Sequence, residues 1–261
     1  MNRRQFTALS SATLLPPLAA AYEPASVVDA MPGTLPLLFT VPHDGAEFLG
    51  LFPHRTQGAT VRDLGTRELA ERVAALLHQQ LGHRPYLVVA KFSRKHLDAN
   101  RSEADAMESP AMLPAYRAYH DHVAAYVAQI RKAFPSGALL IDVHGQSQES
   151  GTTFRGTRAG LTVKRLLGRY GPAALQGPDS IFGQLAAKGY GVNPAPDAAS
   201  LREDPRFAGG YTVFTYGSHR PDGIDAIQFE FGGQHRSNPR LPEDFAAALV
   251  GFMTAFDLLP K

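Results

Sequence analysis

Three short stretches of this chain carry side chains able to hold a metal ion or move a proton: Pro42-His43-Asp44-Gly45, Ile141-Asp142-Val143-His144 and Gln228-Phe229-Glu230. The sequence has ten histidines and no cysteine. Disulfides, cysteine nucleophiles and cysteine-based zinc fingers are therefore excluded, and any metal must rest on His, Asp or Glu. Ser218 follows Gly217 without a Gly-x-Ser-x-Gly elbow, which argues against serine hydrolysis. No glycine-rich phosphate loop is present. Two histidines and a carboxylate, each following or closing an apolar run, point to metal-assisted chemistry at one edge of a sheet.

The elements that must position these residues alternate in type. Apolar runs at 35–41, 86–92, 138–143, 211–216 and 226–231 read as strands. Amphipathic or closing segments at 66–81, 113–134, 180–188 and 242–258 read as helices, the first ended by Gly82 and the second by Pro135 and Gly137. Strands that are apolar throughout, alternating with helices, favour an α/β fold with a mostly parallel central sheet covered on both faces. The Gly-rich, polar stretch 145–178 reads as loops over the site. With 261 residues and 44% hydrophobic content, the chain suits one core, assigned to residues 35–261.

Residues 22–34 lack periodicity and read as a leader linker. Residues 1–21 carry Arg3-Arg4, a modest apolar run and Ala19-Ala20-Ala21, the pattern of a twin-arginine signal peptide. The expected partner is the twin-arginine export machinery and the expected location is the periplasm. No apolar run is long enough to span a bilayer. Basic residues are scattered and the net charge is only +2, so no nucleic-acid partner is expected.

Taken in order, several motifs resemble the N-formylglutamate amidohydrolase family. They are Pro42-His43-Asp44-Gly45, Ser93-Arg94 before Asp98-Ala99-Asn100-Arg101, Asp142-Val143-His144, Gly209-Gly210-Tyr211 and Gln228-Phe229-Glu230. The resemblance runs from about residue 35 to residue 256 and implies a relation to zinc carboxypeptidases and aspartoacylases, hence an α/β, three-layer α/β/α fold of the phosphorylase/hydrolase-like kind with a single zinc. It implies His43 and His144 as two ligands and Asp63, just before the first helix, as the third. Glu47 is the rival, though it stands one residue further from His43 than the His-x-x-Glu spacing of the carboxypeptidases. The alternative for Asp63 is an ordinary helix N-cap, since Asp favours that position. Asp142 is a candidate for orienting a ligand, or for a structural hydrogen bond.

Glu230 suits the general base and later acid, because a carboxylate inside an apolar strand is costly without a task or partner. Arg101 and Arg94 are candidates for gripping substrate carboxylates, since a guanidinium pairs with them through two parallel bonds. Asn100 is a further donor. The activity so implied is zinc-dependent hydrolysis of a non-peptide amide in a small anionic substrate, of the N-formyl-L-glutamate type. The leader keeps open a periplasmic peptidoglycan amidase or carboxypeptidase, and a non-catalytic zinc or small-anion binding protein is a further alternative of a different class.

Overall fold

Strands buried on both faces need cover on both sides, and the apolar runs of this chain receive it. The computed structural model describes residues 22–47 and 52–260. Among them, β1 (Val28–Met31), β2 (Leu37–Val41), β3 (Tyr86–Ala90), β4 (Leu139–Gln146), β5 (Thr152–Gly156), β6 (Gly191–Asn193) and β7 (Asp225–Gly232) form one sheet. Its order is β1-β3-β2-β4-β7-β5-β6. The central strands β3, β2, β4 and β7 run parallel, whereas β1 pairs antiparallel with β3 and β5 antiparallel with β7. The helices are α1 (Thr66–Leu81), α2 (Glu103–Ala106), α3 (Leu113–Ala133), α4 (Lys164–Tyr170), α5 (Ala173–Gln176), α6 (Ile181–Ala187), α7 (Tyr211–Tyr216), α8 (Gly233–Arg236) and α9 (Leu241–Ala255).

Side-chain alternation along each strand divides the interior into two cores. On one face, Leu37, Phe39 and Val41 of β2 pack with Leu69, Val73 and Leu77 of α1 and with Phe245, Leu249 and Phe252 of α9. On the other, Leu38, Val88, Leu140 and Ala226 meet Tyr119, Val123 and Ile130 of α3. This is the expected three-layer α/β/α arrangement. No helix among the described residues is long and apolar enough to cross a membrane.

Three readings of local structure are corrected. The supposed linker 22–34 contains β1, whose partner is the free edge of β3 from Val28↔Ala90 to Met31↔Leu87. Its hydrogen bonds come from that edge, and its half-exposed side chains gave no apolar run. The supposed strand at 211–216 is helix α7. Its first turn is anchored from afar, because the Thr212 amide donates to Oδ1 of Asn100 at 2.8 Å. The supposed loops 145–178 contain the end of β4, all of β5, and helices α4 and α5. β5 escaped notice because it buries polar residues: Arg155 is 1% exposed.

Arg155 is satisfied by a built environment. Its Nε donates to Oε1 of Glu203 at 2.9 Å, and its two terminal nitrogens donate to the carbonyls of Leu175 and Leu201. Glu203 also accepts from the amides of Thr157 and Ala159. Removing one partner leaves a buried charge uncompensated. Glu203→Gln is therefore expected to destabilise the fold by about 3–5 kcal/mol, read as a shift in the urea midpoint at unchanged slope. A loss below about 1 kcal/mol would show that water reaches Arg155 and compensates it.

Candidate metal centre

The period of two along a strand makes the site. Asp142 and His144 share one face of β4, and Gln228 and Glu230 share the matching face of β7. The parallel register sets Asp142 beside Gln228 and His144 beside Glu230. His43 arrives from the turn after β2, on the other flank of β4. That turn needs Gly45, because a Cβ there would overlap the backbone of Lys91 and Phe92 at the end of β3.

Nδ1 of His43, Nδ1 of His144 and Oδ2 of Asp63 converge, with all three residues buried. The histidine nitrogens are 3.0 Å apart, and the carboxylate oxygen is 3.3 Å from the first and 3.4 Å from the second. Tetrahedral zinc with bonds of about 2.0–2.2 Å sets its ligands about 3.3 Å from one another. The three atoms thus fit the cation geometrically. They also fit it chemically. Nε2 of His43 lies 2.6 Å from Asp98 and Nε2 of His144 lies 2.8 Å from Asp142, which places the ring protons on Nε2 and turns both Nδ1 lone pairs inward. Two inward lone pairs and a carboxylate attract a cation.

The Asp63 and Asp98 carboxylates are held anionic by the groups around them. Burial raises the Asp63 carboxyl, but the His144 and His43 rings beside it outweigh that and hold Asp63 well below the usual carboxylate range. Asp98 is likewise buried, yet the hydrogen bond from Nε2 of His43 and the guanidiniums of Arg94 and Arg55 push it well down. Glu230 moves the other way: burial raises its carboxyl above the ordinary value, against the pull of His144.

Each sequence candidate can now be located. Asp63 does not cap α1, whose N-cap is Gly65 in a left-handed conformation; its side chain instead accepts from the amide of Gly145 at 3.2 Å. The structure places Glu47 apart from the cluster, its half-exposed carboxylate 3.1 Å from Lys91. Asp142 orients His144 and itself accepts from Thr40 at 2.7 Å. Asn100 is buried, with Nδ2 3.3 Å from Gln228 and from Nε2 of His144. Arg94 is tied to Asp98 at 3.0 Å and to Asp63 at 3.5 Å, so much of its fork is already engaged. Arg101 is half-exposed and only 3.8 Å from Asp98, which leaves its donors available.

Two residues had no assigned role in the sequence. Asp98 holds the first histidine; its place at the head of Asp98-Ala99-Asn100-Arg101 was the available signal. Gln228 donates to Glu230 at 2.9 Å and accepts from the amide of Gly210 at 2.7 Å. Gly210 has no room for a side chain, since a Cβ would overlap the Asn100 amide. A cleft of about 820 Å³ is lined by His43, Asp63, Arg94, Asn100, Arg101, His144, Gln228 and Glu230 among others.

Among solved structures, the chain is similar to N-formylglutamate amidohydrolase from Ralstonia eutropha, over 89% of its own length and 98% of the other chain. The TM-score is 0.57 and the identity 17%. The two proteins share a fold. A gene product from Agrobacterium tumefaciens aligns over 88% of this chain and 93% of its own, with TM-score 0.55 and 16% identity. No protein-family profile matches the sequence, and no curated protein matches it.

Proposed function

We propose that this chain is a zinc-dependent amide hydrolase acting on N-acylated acidic amino acids of the N-formyl-L-glutamate type, and that it belongs with the amidohydrolases whose fold it shares. One observation carries the reading: a three-donor cation cluster, His43, Asp63 and His144, stands beside a part-buried carboxylate, Glu230, in a single cleft. A site that only stored a metal has no use for the second feature.

Bound there, zinc supplies Lewis acidity toward the amide carbonyl and acidifies the attacking water. The protein supplies the rest. Glu230, with its carboxyl raised by burial, takes a proton from water and returns it to the leaving nitrogen. Gln228 fixes the rotamer of Glu230 through its 2.9 Å hydrogen bond. Arg101 presents free donors to a substrate carboxylate, Asn100 adds an amide at the cleft wall, and Arg94 neutralises Asp98 and Asp63 while offering its remaining edge.

The test is metal content of the purified protein by elemental analysis, together with turnover of N-formyl-L-glutamate. About one zinc per chain and turnover abolished by chelation are the expected results. Protein that binds no divalent metal would sink this reading. The Arg3-Arg4 leader motivates an exported, periplasmic protein, although residues 1–21 lie outside the described structure. Zinc-dependent turnover confined to peptidoglycan fragments would move the substrate assignment to the cell wall.

A further inference from the structure

Six arginines line the cleft: Arg62, Arg94, Arg101, Arg158, Arg206 and Arg236. Four are spent on other groups. Arg62 pairs with Asp44, Arg94 with Asp98 and Asp63, Arg206 with Asp204 and Glu149, and Arg236 donates to the carbonyls of Phe231, Gln146 and Leu64. Arg101 keeps only its long contact with Asp98. Among the described residues, no carboxylate lies within ion-pair distance of Arg158.

Arg158 is also presented by costly backbone. It and Ala159 are consecutive non-glycine residues in the left-handed region, at φ of 50° and 55°. The turn is held from both sides. Glu203 accepts from the amides of Thr157 at 2.8 Å and Ala159 at 3.1 Å, and the Arg158 amide donates to Ala208 at 2.7 Å. Glu203 is in turn fixed by the buried guanidinium of Arg155. The side chain is steadied as well, with its guanidinium 4.3 Å above the ring of Phe214. Stacking occupies the flat face of a guanidinium and leaves its in-plane N–H donors free for a carboxylate. Arg101, after β3, and Arg158, after the antiparallel β5, both line the cleft.

We propose that Arg158 is the second anion-binding arm of the cleft, selecting substrates that carry a second carboxylate, and that the buried Arg155–Glu203 pair serves to aim it. The proposal rests on the hydrolase reading above for its substrate class. Arg101 takes one carboxylate and Arg158 the other.

The test compares N-formyl-L-glutamate with N-formyl-L-glutamine, which matches it in shape but lacks the second charge. Binding is measured by titration calorimetry on the zinc-loaded Glu230→Gln protein, with and without Arg158→Ala. The first protein is expected to favour the glutamate compound on the order of 10- to 100-fold, and Arg158→Ala to erase that preference. A preference that survives Arg158→Ala, equal weakening of both compounds, or no preference at the outset overturns the assignment. Because no turnover is read, a wild-type protein that hydrolyses neither compound refutes the hydrolase reading alone and leaves the binding ratio to decide the role of Arg158.

Discussion

Replacing Glu230 with glutamine is expected to lower kcat on N-formyl-L-glutamate on the order of 10²- to 10⁴-fold while zinc content stays at the wild-type level. The change is nearly isosteric, so the hydrogen bond from Gln228 can be traded for one with the new amide and the strand is not disturbed. What is lost is the group that accepts and returns a proton. The metal donors are untouched, since Glu230 is absent from the cluster of His43, Asp63 and His144. Parallel kinetic and elemental measurements separate the outcomes. Activity within a few-fold of wild type would remove Glu230 from the chemistry, and loss of zinc along with activity would recast it as a ligand.

The second large effect concerns the metal. His144→Ala removes one of three donors and is expected to abolish stoichiometric zinc and all turnover. Asp98→Asn should be milder, because it weakens the partner of His43 Nε2 without removing a donor; a fall in zinc affinity of about 10- to 100-fold is expected. Competition against a chromogenic chelator measures both. The ranking is the content of the prediction. If Asp98→Asn matched His144→Ala, Asp98 would have to ligate the metal directly.

The helix Thr66–Leu81 was legible because its apolar positions follow one stripe and Gly82 closes it in a left-handed conformation. The central strands were legible because they are apolar on both faces. Tyr211–Tyr216 misled for a definite reason. Its aromatic and β-branched residues have the composition of a strand, but propensity is a weak prior beside tertiary contacts. Asn100, 112 positions away, receives the first-turn amide and seats Val213 in the core. Val28–Met31 was illegible because an edge strand borrows its order from its neighbour. In the site, His43, His144 and Glu230 could be read from strand ends, and family likeness supplied Asp63. The roles of Asp98 and Arg158 depend on distances across loops: one carboxylate meets a ring nitrogen 55 positions earlier, and the other residue stands out because, among the described residues, no carboxylate pairs with it.

The register that puts His144 beside Glu230 has a kinetic meaning too. The donors and the carboxylate come from the turn after β2, the approach to α1, the end of β4 and the end of β7, so the site is built from contacts of high sequence separation. Such contacts form late and together. No fragment of the chain short of the closed central sheet owns the cluster, and a cation that binds there binds only the finished fold. Occupancy and global stability are then thermodynamically linked, and each tenfold rise in free metal above its dissociation constant adds about 1.4 kcal/mol to the work of unfolding.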